Sequence, residues 1–135
     1  MSLGSLAIVE EWLDAVNRGD ARRAEQLSAD EVEIVGPRGS MRGRQVLAAW
    51  MDRAGFSAES LRWFCGGDGS VVVEQAARWI DSATGADRGQ APVASCFCVD
   101  GGDIIRYARY ENLELALMAA GLDDGDEVMP EQRWP

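Results

Sequence analysis

The sequence predicts an α+β domain in which helices cap a curved, mainly antiparallel sheet. Two observations carry this prediction. Apolar residues recur every third or fourth position through most of the first part of the chain, then alternate one in two through the rest. The alternating runs are separated by short Gly- and Asp-rich stretches, which join neighbouring strands as hairpins rather than as crossovers.

From Leu6 to Arg18 the residues Leu6, Val9, Trp12, Leu13 and Val16 mark one helical face, and Gly19 ends that helix. Asp20 can cap the short charged segment that follows to Ser28, so the two helices are read as an αα-hairpin. Val32 and Ile34 then alternate with Glu31 and Glu33 in a strand that runs into the turn-rich Gly36-Pro37-Arg38-Gly39-Ser40. Helical spacing returns at Val46, Leu47, Trp50 and Ala54 and stops at Gly55. Four strands follow, over 60–65, 71–80, 92–99 and 103–111, and Leu113 to Leu122 has helical composition. Residues 1–122 are thus expected to form a single domain, with 123–135 as an acidic, proline-bearing mobile tail.

Composition excludes several chemistries. With 23 acidic against 13 basic residues the formal charge is -10, which repels nucleic-acid phosphates and anionic membranes. Every basic residue is arginine, so there is no lysine for a Schiff base or a phosphate loop. Histidine is absent, which removes Ser-His-Asp and Cys-His nucleophiles and the usual histidine metal sites. No cofactor and no metal are expected. Any acid–base chemistry falls to carboxylates, a phenol or a thiol. Cys65, Cys96 and Cys98 have no Cys-x-x-Cys spacing and no apolar signal segment precedes the domain, which points to a reduced, cytoplasmic protein whose cysteines are small apolar filler.

Several phrases resemble the nuclear-transport-factor-2-like superfamily, which includes the SnoaL-like polyketide cyclases, ketosteroid isomerase and limonene epoxide hydrolase. Ala15-Val16-Asn17-Arg18-Gly19-Asp20 looks like the link between its first helices, and Asp30-Glu31-Val32-Glu33-Ile34 like its first strand. Gly36 to Gly43 resembles the loop before its third helix, and Asp100-Gly101-Gly102-Asp103-Ile104 its last hairpin. The resemblance covers residues 6–122 and implies an open cone, cystatin-like in layout, whose concave face holds a small hydrophobic or amphipathic molecule. It argues against steroid isomerisation, because the phenol, the base and the second acid of that chemistry fall on Trp12, Gly36 and near Ser95.

The same register turns Val93, Ser95, Phe97 and Val99 inward, together with Ile105, Tyr107, Arg109 and Glu111 on the last strand. A provisional register for the long strand before them adds Glu74, Ala76, Arg78 and Ile80. Charges inside an apolar cone must pair, meet water or meet a ligand. Glu111, Arg109 and Glu74 are therefore the catalytic candidates, and Trp12, Trp50, Arg78, Ser95, Phe97 and Tyr107 the pocket candidates. A SnoaL-like reading makes Glu111 the base for proton transfer. An epoxide-hydrolase-like reading makes Glu111 and Glu74 the base and acid, with Arg109 or Arg78 fixing them. The plain alternatives are internal ion pairs and core indoles. Trp63 and Trp79 are placed on the outer sheet face, where Trp79 with Cys96 and Cys98 would mark a homodimer interface. A non-catalytic dimerising or partner-binding domain is the competing reading. Arg38 is read as a solvated loop residue.

Overall fold

The computed structural model describes residues 3–36, 39–54, 56–81 and 83–129. Arg38 and residues 130–135 lie outside them. The first helix, α1 (Leu3–Arg18), buries the predicted stripe: Leu6, Val9, Trp12, Leu13 and Val16 are all inside. At roughly 2 kcal/mol for each buried side chain, that stripe holds the helix far more firmly than helix propensity does. Gly19, at φ 72°, lets the chain reverse, and the Asp20 carboxylate accepts from the Arg23 N–H at 3.1 Å to cap α2 (Ala21–Gln26).

Strand β1 (Ser28–Gly36) turns Val32 and Ile34 into the core and pairs with a short β2 (Gly39–Arg42), so the turn-rich loop is in part a hairpin. Helix α3 (Gln45–Ala54) presents Leu47 and Trp50 to the core. Then come β3 (Phe56–Cys65), β4 (Ser70–Ile80), β5 (Asp87–Asp100) and β6 (Asp103–Tyr110) as an antiparallel meander. Helix α4 (Leu113–Ala120) is capped by Asn112 at its start and by Gly121, at φ 72°, at its end. Among the described residues there are four helices and one curved, unclosed seven-stranded sheet of order β2-β1-β6-β5-β4-β3-β7, with β7 at Glu127–Val128, the predicted fold class.

The C-terminal part corrects the expected tail. Asp123 caps a single 3-10 turn (Asp124–Asp126), and β7 (Glu127–Val128) returns to pair with β3. Val128 is buried in the main core, and Arg62 grips Glu127 with two hydrogen bonds of 3.0 and 2.8 Å. The Arg62 guanidinium holds the Glu127 carboxyl below its ordinary pKa. Acidic composition concealed a strand that needs only one apolar residue and one ion pair.

The register of β4 is also corrected. Val71, Val73 and Ala77 belong to the main core with Trp79 packed against it, whereas Val72 lies in a second cluster with Phe64, Ala94, Cys96, Ala116 and Leu117. The odd-numbered face of β4 contains no charged residue. The even-numbered face carries Glu74 and Arg78, and desolvating those ions would cost several kcal/mol each, so that face turns outward. Helix α4 covers part of it, and Trp63 and Trp79 point into the concave side rather than out of it.

The turn between β3 and β4 leaves no room for a side chain at Gly69: its φ is 88° and a Cβ would stand 2.2 Å from the Val99 carbonyl oxygen. Gly69→Ala is expected to destabilise the fold by about 2 kcal/mol or more in a urea titration, with an unchanged m-value. A variant as stable as the parent would show that this approach is not tight.

Candidate functional site

Four aromatic rings fill the inside of the sheet. Trp12 lies 5.0 Å from Tyr107, 5.4 Å edge-on from Phe97 and 6.1 Å from Trp50, centroid to centroid. Trp50 and Phe97 also meet Tyr107, at 5.5 and 5.1 Å. Such pairs add about 0.5–1.5 kcal/mol each beyond their burial. Trp12 is fixed in addition by a polar relay. Its indole N–H donates to the Ser28 hydroxyl at 3.1 Å, which donates to the Ala24 carbonyl at 2.8 Å. Trp12, Phe97 and Tyr107 are fully buried, while Trp50 is half-buried.

Beside the rings, three neutral polar side chains cross the inner faces of β4, β5 and β6. Ser95 donates to the Gln75 side-chain oxygen at 2.6 Å, and both residues are completely buried. Among the described residues Gln75 Nε2 has no hydrogen-bond partner, and the Tyr107 hydroxyl lies near Ser95 and Arg109 without a well-aligned bond to either. Burial pushes the Tyr107 phenol up, against the opposing influence of nearby Arg109 and Ser95. Arg109 is half-buried with its guanidinium 5.4 Å above the centre of the Trp79 ring, a cation–π contact.

The candidate residues divide. Trp12, Trp50, Ser95, Phe97, Tyr107 and Arg109 share the concave side. Glu74 does not join them: it lies opposite Ala94 on the convex face, where its charge acts on Arg62. Arg78 is exposed and reaches Asp87 at 3.4 Å. Glu111 is exposed, because β6 ends at Tyr110 and Asn112 already caps α4, leaving Glu111 in the intervening bend. Ile105 is turned out by a bulge in which one step along β5, from Cys98 to Val99, spans Arg106 to Ile104 on β6. Sequence reasoning missed Gln75 and Trp79. A lone amide amid Val71, Val73 and Ala77 is the signal that a correct β4 register would have exposed.

Cys96 sits under α4, where burial raises its thiol to about 11, so the thiolate nucleophile is scarce at neutral pH. Trp79 and Cys96 lie on opposite faces and cannot form one interface patch. Among the described residues no three acidic or cysteine side chains converge as a metal site, and no helix is long and apolar enough to cross a membrane. An open groove of about 670 Å³ runs past the ends of β3, β4 and β5, bordered by Ala58, Leu61, Ala77, Arg78 and Pro92.

The family described as a SnoaL-like domain matches residues 9–107. The sequence matches no curated protein. Among solved structures, a protein with a ketosteroid isomerase-like fold from Catenulispora acidiphila, in complex with trimethylamine, superposes with a TM-score of 0.66 at 21% identity, covering 86% of this chain and 93% of its own. An epoxide hydrolase from M. tuberculosis, of the LEH-like type, gives 0.68 at 21% identity over 87% and 84%. SalBIII, an epoxide hydrolase/cyclase-like enzyme with a role in pyran ring formation in the polyether salinomycin, gives 0.69 at 21% identity over 78% and 88%.

Replacing Trp12 by Phe preserves most of the ring contact but strips the Ser28 hydroxyl of its donor. Thermal unfolding of Trp12→Phe is expected to show a loss of about 1–3 kcal/mol. No measurable loss would mean that the indole relay does not hold α1 to the sheet.

Proposed function

The chain belongs to the SnoaL-like domain family, and we propose that it binds a small hydrophobic or amphipathic molecule at the half-open end of its aromatic cone. The observation that carries this reading is Arg109 stacked on Trp79 beside the ring cluster. An aromatic lining with one oriented cation favours a flat, apolar ligand bearing a single polar group. Trp50 and Trp79, both half-buried, supply the walls.

A binding role is favoured over proton transfer by Glu111 or Glu74. Both carboxylates sit away from the concave lining, one exposed and one on the convex face. For the same reason, water activation between two carboxylates and an arginine, the epoxide-hydrolase-like alternative, has Arg109 as its one member in the cone.

A titration with the bicyclic probe methyl 2-naphthyl ketone, followed by quenching of tryptophan fluorescence, tests the reading. Saturable quenching is expected, weakened about tenfold by Trp50→Ala and by Trp79→Ala. No saturation, or saturation indifferent to both changes, would overturn it.

A second reading, a homodimer through the convex face, is favoured by Leu61, which is 51% exposed beside the groove along β3 to β5. Sedimentation of the parent chain and of Leu61→Arg tests it. A dimer that the arginine splits is the expected result, and a monomeric parent would end this reading.

A further inference from the structure

The unpartnered donors on the concave face point to the kind of ligand group that the cone receives. Gln75 and Tyr107 are 0% and 1% exposed; Gln75 Nε2 has no hydrogen-bond partner among the described residues, and the Tyr107 hydroxyl lies near Ser95 and Arg109 without a well-aligned hydrogen bond to either. Leaving such atoms dry costs on the order of 1–3 kcal/mol apiece, more than a single surface ion pair returns. Two such deficits on β4 and β6, on either side of Ser95 on β5, are a large burden for a domain of this size.

We infer that Gln75 Nε2, the Tyr107 hydroxyl and Arg109 form a donor set for a planar oxygen acceptor, a ketone, ester or carboxylate, at the inner end of the bound molecule. The inference rests on the cone-binding reading and deepens it. Ser95 gives its proton to the Gln75 oxygen, which orients the amide so that its N–H₂ is the free end. Exchanging the amide oxygen and nitrogen would only turn the deficit from a donor into an acceptor, so Gln75 wants a partner in either orientation. What selects an acceptor is the company it keeps. Arg109 can only donate, and its charge favours electron density on a neighbouring oxygen.

The protonation of Tyr107 also matters. Tyr107 stays protonated because burial pushes its pKa up, so it remains a donor across the physiological range. Glu74 and Glu111 lie away from these donors, and the inward positions beside them carry Val71, Val73, Ala77, Val93 and Phe97.

The test compares four probes of one shape on the full chain by calorimetry: methyl 2-naphthyl ketone, 2-naphthoate, naphthalene and 2-naphthylmethylamine. The two oxygen-bearing probes are expected to bind about tenfold or more tightly than naphthalene, and the amine no better than naphthalene. A ketone that outranks the carboxylate assigns the acceptor as neutral, and the reverse order assigns it as anionic. Tyr107→Phe is expected to lower the ratio of ketone to naphthalene affinity about tenfold. The same variant should melt at a temperature equal to or a few degrees above the parent, because an unsatisfied hydroxyl has been removed.

Equal affinity for all four probes would overturn the donor set but leave the aromatic cone standing. Failure of every probe, naphthalene included, would overturn the cone reading itself. A high-resolution crystal structure showing a water hydrogen-bonded to both Gln75 and Tyr107 that stays in place when the ketone binds would overturn the inference too, since the donors would then be satisfied by solvent alone.

Discussion

Taking an unpaired charge out of water costs several kcal/mol, and in β4 that cost decides which face turns inward. A sheet strand offers two faces, and in β4 both carry apolar residues, so hydrophobicity alone does not choose between them. The choice follows from Glu74 and Arg78, which share one face and remain near water and other ions when that face turns outward. Once β4 is set, pairing fixes the neighbours: Ser95 and Phe97 face in, and Val72, Ala94 and Cys96 form the convex patch that α4 covers. The concave surface is left with aromatic rings, neutral polar groups and the Arg109 guanidinium.

That surface is held by contacts distributed over the whole chain. Trp12 touches rings from α3, β5 and β6, and its N–H reaches Ser28 at the start of β1. The Asn17 amide adds a strand-like pair of 2.9 Å hydrogen bonds to the Ala58 backbone, tying the end of α1 to β3. The helices therefore do more than cover the sheet: they hold one end of it against a rigid aromatic block, while Trp50, Trp79 and Arg109 keep partial access to solvent. Rigidity on one side and partial exposure on the other are what a binding surface needs, since pre-organised side chains lose little entropy when a ligand arrives.

Much of this was legible in the sequence. The stripe Leu6, Val9, Trp12, Leu13, Val16 located α1 and its buried face, and the alternation through Val93, Ser95, Phe97 and Val99 assigned the inner face of β5 correctly. Periodicity fails where both phases are apolar, as in β4. It fails also where one inserted residue reverses the phase, as at Ile105, and where a strand is too short to have a period, as in β7. Glu111 shows how a boundary error becomes a chemical one. Extending β6 by a single residue makes Glu111 an inward base, whereas the Asn112 cap leaves it exposed in a bend. Gln75 was hidden for the opposite reason, because its significance depends on partners that only the tertiary structure brings near.

The most direct measurement of the central claim is a ¹H–¹⁵N spectrum of the indole N–H groups during titration with methyl 2-naphthyl ketone. Of the five tryptophans, Trp12, Trp50, Trp63 and Trp79 lie among the described residues and report from different elements. If the ligand enters the half-open end of the cone, the Trp50 and Trp79 signals move most and in parallel. Trp63, paired with Val73 well along β3 from the Phe56–Trp79 end, stays nearly still. Shifts confined to Trp63, or the absence of any shift at saturating probe, would contradict the account.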